Sequence, residues 1–201
     1  MTTIGLTTRD VARELARRYS TMTHDALDVL ESILVPMRFQ KGDFILKEGE
    51  VCKNIYWVVK GLVRQFYIKN GKELTEYMAS ENTIFMSIES LFKEQPSVQQ
   101  IHALEPTIIF ALPKEKLERE AVRNVNIQML YRKILEESLI LSQIRADMLR
   151  FESAPERYAK LVKRAPQLVL RAPLVYIASY LQMTPETLSR VRTSALMDSK
   201  D

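Results

Sequence analysis

The sequence predicts an α+β chain in three parts: a small antiparallel β-structure behind N-terminal helices, one long amphipathic helix, and a C-terminal helix-turn-helix. Three observations carry this prediction. Four of the five glycines (Gly42, Gly49, Gly61 and Gly71) fall within thirty residues and punctuate short apolar runs. Apolar residues then recur in steps of three and four from Ile127 to Phe151. Finally, Val175–Arg192 reads as two short amphipathic helices around a tight turn.

In chain order, residues 7–34 are expected to be helical with a break around Ser20–Thr23. Thr7 and Thr8 are candidate caps, and Ala26, Leu27, Leu30, Ile33 and Leu34 form an apolar stripe. The β-rich region runs roughly from Met37 to Leu112. Residues 44–46, 55–59 and 62–68 are strand-like, the last alternating Leu62, Phe66 and Ile68 against Arg64. Asn70–Gly71 between lysines is a two-residue hairpin signal, because both residues accept positive φ. Residues 101–112 close the region before Pro113, giving a small barrel or sandwich.

One helix is expected over about 115–151. Ile127, Leu130, Ile134, Leu141, Ile144 and Met148 follow a heptad rhythm, with Glu137 the one break, and suit a seam against a second copy of the chain. A second stripe of Leu135, Leu139, Met148 and Leu149 could pack on the chain's own domains, and both stripes could be intramolecular core. Ser153 and Glu156, with Pro155 between, form a capping box that starts a new module. The expected divisions are 1–120, 121–152 and 153–201.

Within the last module Ile177, Ala178 and Leu181 stripe the first helix, and Leu188 and Val191 the second. Thr184 can cap the second helix, with Pro185 at its first position, where a missing N–H costs nothing. Glu186, Ser189 and Arg190 then lie off the apolar stripe, where a helix-turn-helix presents side chains to base edges. A hairpin that only fills a core is the bland alternative. Charge favours the first: residues 154–201 carry Arg157, Lys160, Lys163, Arg164, Arg171, Arg190, Arg192 and Lys200 against Glu156, Glu186, Asp198 and Asp201. That excess equals the whole net charge of +4, so the rest of the chain is neutral. A basic region releases counterions from phosphates and binds DNA irrespective of sequence.

Composition excludes several classes. At 201 residues, 46% hydrophobic and 27% charged, the chain suits a globular protein with one medium and one small domain. No apolar run is long enough to span a bilayer, and Arg9, Asp10, Arg13 and Glu14 interrupt any secretory signal, so a cytoplasmic location is expected. The single Cys52 excludes an intrachain disulfide framework and a cysteine-ligated cluster, and His24 and His102 are widely separated. No metal site, nucleophile–base set or phosphate-cradling glycine loop stands out, so an enzyme is not expected.

The glycine turns Lys41-Gly42-Asp43, Glu48-Gly49-Glu50, Val59-Lys60-Gly61 and Asn70-Gly71-Lys72, followed by the long helix and the helix-turn-helix, resemble the Crp/Fnr family of bacterial transcription regulators. The resemblance covers about residues 25–192. It implies a double-stranded β-roll of the cyclic-nucleotide-binding type, a dimerisation helix, and a winged-helix-like DNA-binding module. It also implies a homodimer on an inverted-repeat site in double-stranded promoter DNA, with RNA polymerase and a small effector as further partners. Glu186-Thr187-Leu188-Ser189-Arg190 matches the Fnr-like Glu-x-x-Ser-Arg pattern, implying half-sites resembling TTGA. Arg190 suits guanine and Glu186 cytosine N4, while Thr184, Thr187 and Arg192 are better placed for phosphates. Pro185 stands where Crp-like members carry an arginine.

The sensor departs from the family pattern. Cyclic-nucleotide binders carry Gly-Glu for the ribose and, about ten residues on, Arg-Ser or Arg-Thr for the phosphate. Here the effector-pocket candidates are Ser87, Ile88, Glu89, Ser90, Val98 and Gln99, with Ile88 at the glutamate position and Val98 at the arginine position. An unpaired buried phosphodiester charge is costly, so cyclic AMP is not expected, nor is an iron–sulfur cluster or other cofactor. A ligand-binding signalling module without promoter readout remains the alternative function.

Overall fold

The computed structural model describes residues 7–198; Lys200 and Asp201, counted in the basic tail, lie outside them. Two helices come first, α1 (Thr8–Tyr19) and α2 (His24–Ile33). Thr7 and Asp10 close a capping box on α1, and the Thr23 hydroxyl accepts from the N–H of Ala26 on α2. Six strands follow, β1 (Val35–Phe39), β2 (Phe44–Leu46), β3 (Asn54–Lys60), β4 (Val63–Lys69), β5 (Lys72–Ala79) and β6 (Ile84–Phe85). A short α3 (Ile88–Lys93) leads to β7 (Gln100–Ala103) and β8 (Thr107–Pro113).

The strands form two antiparallel four-stranded sheets, ordered β1-β8-β3-β6 and β2-β7-β4-β5. Expected strand 101–112 is therefore two strands, one in each sheet. Asn70 (φ 51°) and Gly71 (φ 71°) turn the β4–β5 hairpin with both residues at positive φ. Gly61, at φ 112°, lies so close to Thr107 that an added Cβ would sit 2.7 Å from its Cα, so the chain leaves β3 past β8 there only because no side chain intervenes.

The helical part differs from expectation. In place of one helix over 115–151 there are α4 (Lys114–Arg123) and α5 (Val125–Phe151), divided at Asn124. The Asn124 side chain accepts hydrogen bonds from the N–H groups of Asn126 and Ile127, offering the backbone a cap instead of a continued helix. Heptad rhythm alone does not register such a break.

Ile127, Leu130 and Ile134 of α5 are no more than 1% exposed and sit in the core of the β-sheet domain with Trp57, Leu112 and Leu117. This corrects their assignment to an intersubunit seam, because they have no surface left to offer a partner. Leu141 and Met148 are half-buried, whereas Ile144 is exposed. The heptad break also has a cause: Glu137 accepts from Arg18 at 2.6 Å and from the Tyr19 hydroxyl at 2.5 Å, pinning α1 to α5. Burial, with Glu137 close by, raises the Tyr19 phenol well above its usual value, so it stays a neutral donor.

Arg64 was expected on a polar face of β4, yet it is 1% exposed. That face is covered by the C-terminal module, described below. Opposite it on β7, His102 packs among Phe44, Phe66 and Tyr176, and its Nε2 is buried without a partner. Burial, helped by the Arg64 charge, pushes the imidazole down to about 4. The unfolded chain then binds this proton more readily than the folded one. The stability His102 contributes above pH 6.5 should be lost progressively as pH falls from 6.5 toward 4. Thermal melts of wild type and His102→Phe between pH 7 and 5 check this. The wild-type Tm should fall more steeply, and parallel slopes would contradict the assignment.

Candidate nucleic-acid interface

The C-terminal module consists of α6 (Ala154–Arg164), α7 (Pro166–Arg171), α8 (Leu174–Tyr180) and α9 (Pro185–Asp198). Each helix starts where its sequence allows. Ser153 and Glu156 form the capping box on α6, and Pro166 opens α7 at a position that needs no N–H. A local core of Tyr158, Leu161, Leu168, Ile177, Ala178, Leu181 and Leu188 holds the four together. Among the described residues no strand follows β8, so the wing of a winged helix is not among the described elements.

Gln182 turns the chain between α8 and α9 at φ 50°. The Thr184 hydroxyl accepts from the N–H of Thr187 at 3.1 Å and so caps α9, with Pro185 at its first position. Leu188 is buried and Val191 half-buried, which fixes the roll of the helix. Thr184, Glu186, Ser189 and Arg190 are exposed together on the outer side, and Thr187 and Arg192 are half-buried at its margin. All six expected DNA-contacting residues therefore lie on the cap and N-terminal part of α9, four of them exposed. A hydrogen bond from Thr184 holds the Glu186 carboxyl below its ordinary value, so it is an anion and an acceptor at neutral pH. Arg190 lies one turn on and donates to the Thr187 hydroxyl at 3.4 Å.

Not every basic residue of the module is available to phosphate. Lys160 pairs with Glu152 at 2.5 Å, and Arg171 with both Glu81 and Glu105. Those two carboxylates follow β5 and β7, so Arg171 joins the module to the two sheets. Sequence reasoning missed this because pairing across elements leaves no local spacing.

The effector candidates separate. Ser87 is buried, and its hydroxyl donates to Gln99 Oε1 at 3.0 Å and lies 3.0 Å from that of Ser97. Gln65 Nε2 donates to the same Gln99 oxygen at 2.6 Å, so these polar groups satisfy one another. Ser90 is also buried and structural: it accepts from the N–H of Cys52 and donates to the Gln95 carbonyl. Glu89 is exposed and pairs with Lys93 at 2.8 Å, and Val98 is exposed. Ile88 alone of the six lines a cleft of about 200 Å³, in which Met86, Ile88 and Phe92 face Leu135, Ser138 and Leu139 of α5. Among the described residues no cationic side chain lines that cleft, and its lining does not fit a cyclic phosphodiester.

Comparison with known proteins places these features. Residues 36–124 match the cyclic nucleotide-binding domain family. The anaerobic regulatory protein of Bacillus subtilis is 26% identical over 146 residues, which span 71% of this chain and 60% of that protein. The chain thus covers less than two thirds of that relative's length. FixK2 from Bradyrhizobium japonicum shares the fold at a TM-score of 0.71 and 20% identity, covering 83% of this chain and 86% of its own. A transcriptional regulator of the crp/fnr family from Eubacterium rectale superposes at a TM-score of 0.64 and 14% identity, covering 88% and 85%.

The cap on α9 can be tested by itself. Thr184→Ala should cost about 1 kcal/mol of stability, read as a lower Tm or denaturant midpoint, and Thr184→Ser should restore most of it. Equal loss in both variants would mean that the hydroxyl does not cap the helix.

Proposed function

We propose that this chain, which has a sensor of the cyclic nucleotide-binding type and the architecture of the Crp/Fnr regulators, is a DNA-binding transcription regulator that acts as a homodimer on an inverted-repeat promoter site. One observation carries the reading: a capped helix turned by Leu188 so that Glu186, Ser189 and Arg190 stand open on its outer face. A side chain that reaches base edges must project from a helix narrow enough for the major groove, and these three do.

The roles follow from chemistry. Arg190 donates to guanine O6 and N7, and Glu186 accepts from cytosine N4, with Ser189 beside them. Thr184, Thr187 and Arg192 hold phosphates and set the register. In functional terms residues 1–120, with the buried first half of α5, serve as the sensor, the rest of 121–152 as the dimerisation helix and 153–201 as the DNA-binding part. Among the described residues no helix is long and apolar enough to cross a membrane. A promoter-binding role places the protein in the cytoplasm with RNA polymerase as its downstream partner. Cyclic AMP is not part of this reading, because the cleft at Ile88 offers no cation to its phosphate.

The dimer face comes from the half of α5 that the sensor does not bury. Leu139, Ile140, Ile144 and Phe151 are 72%, 57%, 45% and 78% exposed, an apolar surface that a second copy of the same helix would cover. The original seam therefore shifts toward the C-terminal end of the helix and around its axis. Two recognition helices then face one duplex, about 34 Å apart for one turn of DNA.

Three measurements test this reading. Fluorescence anisotropy should show tighter binding to a palindromic duplex with two TTGA-like half-sites than to a scrambled duplex, and equal binding would refute base reading. Arg190→Ala should cost about 1–3 kcal/mol on the palindrome and relax preference at one base pair; a uniform loss on both duplexes would make Arg190 a phosphate contact. Ile140→Glu with Ile144→Glu should give folded monomers by analytical ultracentrifugation. By contrast, Ile134→Glu should destabilise the sensor by on the order of 4 kcal/mol or more through a buried charge. A folded dimer in the double variant would place the interface elsewhere.

A further inference from the structure

The C-terminal module is not tethered loosely. Two extended residues, Glu152 and Ser153, join α5 to α6, a connection short enough to act as a pivot. Three arginines from three different elements close over it. Arg64 of β4 lies with its guanidinium 4.2 Å from the Phe66 ring centre and 3.8 Å from that of Tyr176 on α8. Its donors go to the Thr75 hydroxyl at 2.9 Å and to Glu73 at 2.6 Å. Arg145 of α5 stacks 4.3 Å from the Tyr180 ring and donates to the carbonyls of Tyr180 (3.2 Å) and Thr75 (3.3 Å). Arg171 of α7 donates twice to Glu81, at 2.7 and 3.0 Å, and also bonds Glu105.

The backbone takes part as well: the N–H of Thr75 in β5 donates to the Ser179 hydroxyl at 2.8 Å. Leu62 and Met78 of the sensor are buried in one cluster with Ile177, Ala178 and Leu181 of the module. All of these contacts use α7, α8 and Leu181 at the end of α8. None uses the open reading face of Thr184, Glu186, Ser189 and Arg190. A contact that silenced the module would be expected to cover that face. These contacts leave it open and fix its direction.

Resting on the reading that the chain is a DNA-binding dimer, we propose that Arg64, Arg145 and Arg171 clamp the module to the sensor of its own chain in the orientation that reads DNA, so specific binding needs no small effector. Arg145 sits on the same helix as the dimer face, so the clamp ties each recognition helix to the rod that carries its partner. A module held in place loses less freedom on binding than one swinging about Glu152 and Ser153, and a binding-competent state that is already populated needs no ligand to select it.

The test uses the full-length dimer, shown ligand-free by native mass spectrometry, on the palindromic and scrambled duplexes. Wild type should bind the palindrome selectively with nothing added. Arg171→Ala together with Arg145→Ala should raise the radius of gyration in small-angle scattering and weaken palindrome binding on the order of tenfold, leaving scrambled-duplex binding little changed. Circular dichroism and sedimentation check that the variant remains a folded dimer. If it does not, Arg171→Lys serves instead: it keeps the charge but loses the two-pronged contact with Glu81, and should give a smaller loss of the same kind. Unchanged or tighter palindrome binding by the released variant would overturn the proposal. So would an unchanged radius of gyration, or wild-type binding that appears only after a ligand is added. A wild type that binds neither duplex while scattering as a compact dimer would sink the DNA reading itself and leave the clamp intact as a structural contact.

Discussion

The burial of the first half of α5 in the sensor core governs the rest of the molecule. Ile127, Leu130 and Ile134 lie among Trp57, Leu112 and Leu117, each contributing about 1.5–3 kcal/mol by area removed from water. Asn124 fixes where the helix starts, and Glu137 fixes its roll by holding Arg18 and Tyr19 of α1. The helix cannot slide or rotate against the roll without opening that core, and packed cores resist such sliding. Its second half, from Leu139 onward, is therefore presented to solvent at a set angle. Both the proposed dimer face and the seat of Arg145 follow from it.

The sensor and the module share a boundary in which shape matters more than net charge. Arg64 is wholly buried, but its carboxylate partner Glu73 is half-exposed, so solvent screens much of that attraction. What singles out arginine here is a flat cation that stacks on Phe66 and Tyr176 at once while its edge donates to Thr75. Lysine could supply the charge but not the plate. The Arg171 site works differently. Burial pushes the Glu81 carboxyl up, but hydrogen bonds from Arg171 and from the N–H of Gly61 outweigh it and hold it below 4.5. That contribution is present at neutral pH and fades as acid protonates Glu81.

Local chemistry was readable wherever a residue acts on its own backbone. Asn70–Gly71 made the hairpin because both accept positive φ, and Thr184–Pro185 started α9 because one caps and the other needs no N–H. The stripe of Leu188 and Val191 then placed Glu186, Ser189 and Arg190 on the outer face. Features decided by a distant partner were not readable. Arg64 looks like a solvent residue until α8 covers it, and Glu137 looks like a flaw in a heptad until α1 supplies Arg18 and Tyr19. The same limit explains the misplaced seam: a stripe of three-and-four steps marks a buried face, but Ile127 and Ile134 carry no mark of whether their own domain or a second chain buries it.

If α5 sets the geometry and the module is docked on it, the separation of the two reading faces is a property of the free dimer. The most direct test is the distance between spin labels at Ser189→Cys in the two subunits, with the buried Cys52 replaced by serine, measured by pulsed electron resonance. One narrow distribution corresponding to a single DNA turn, about 34 Å, is expected in the free dimer. A broad distribution in the free dimer, or no intersubunit distance at all, would contradict it.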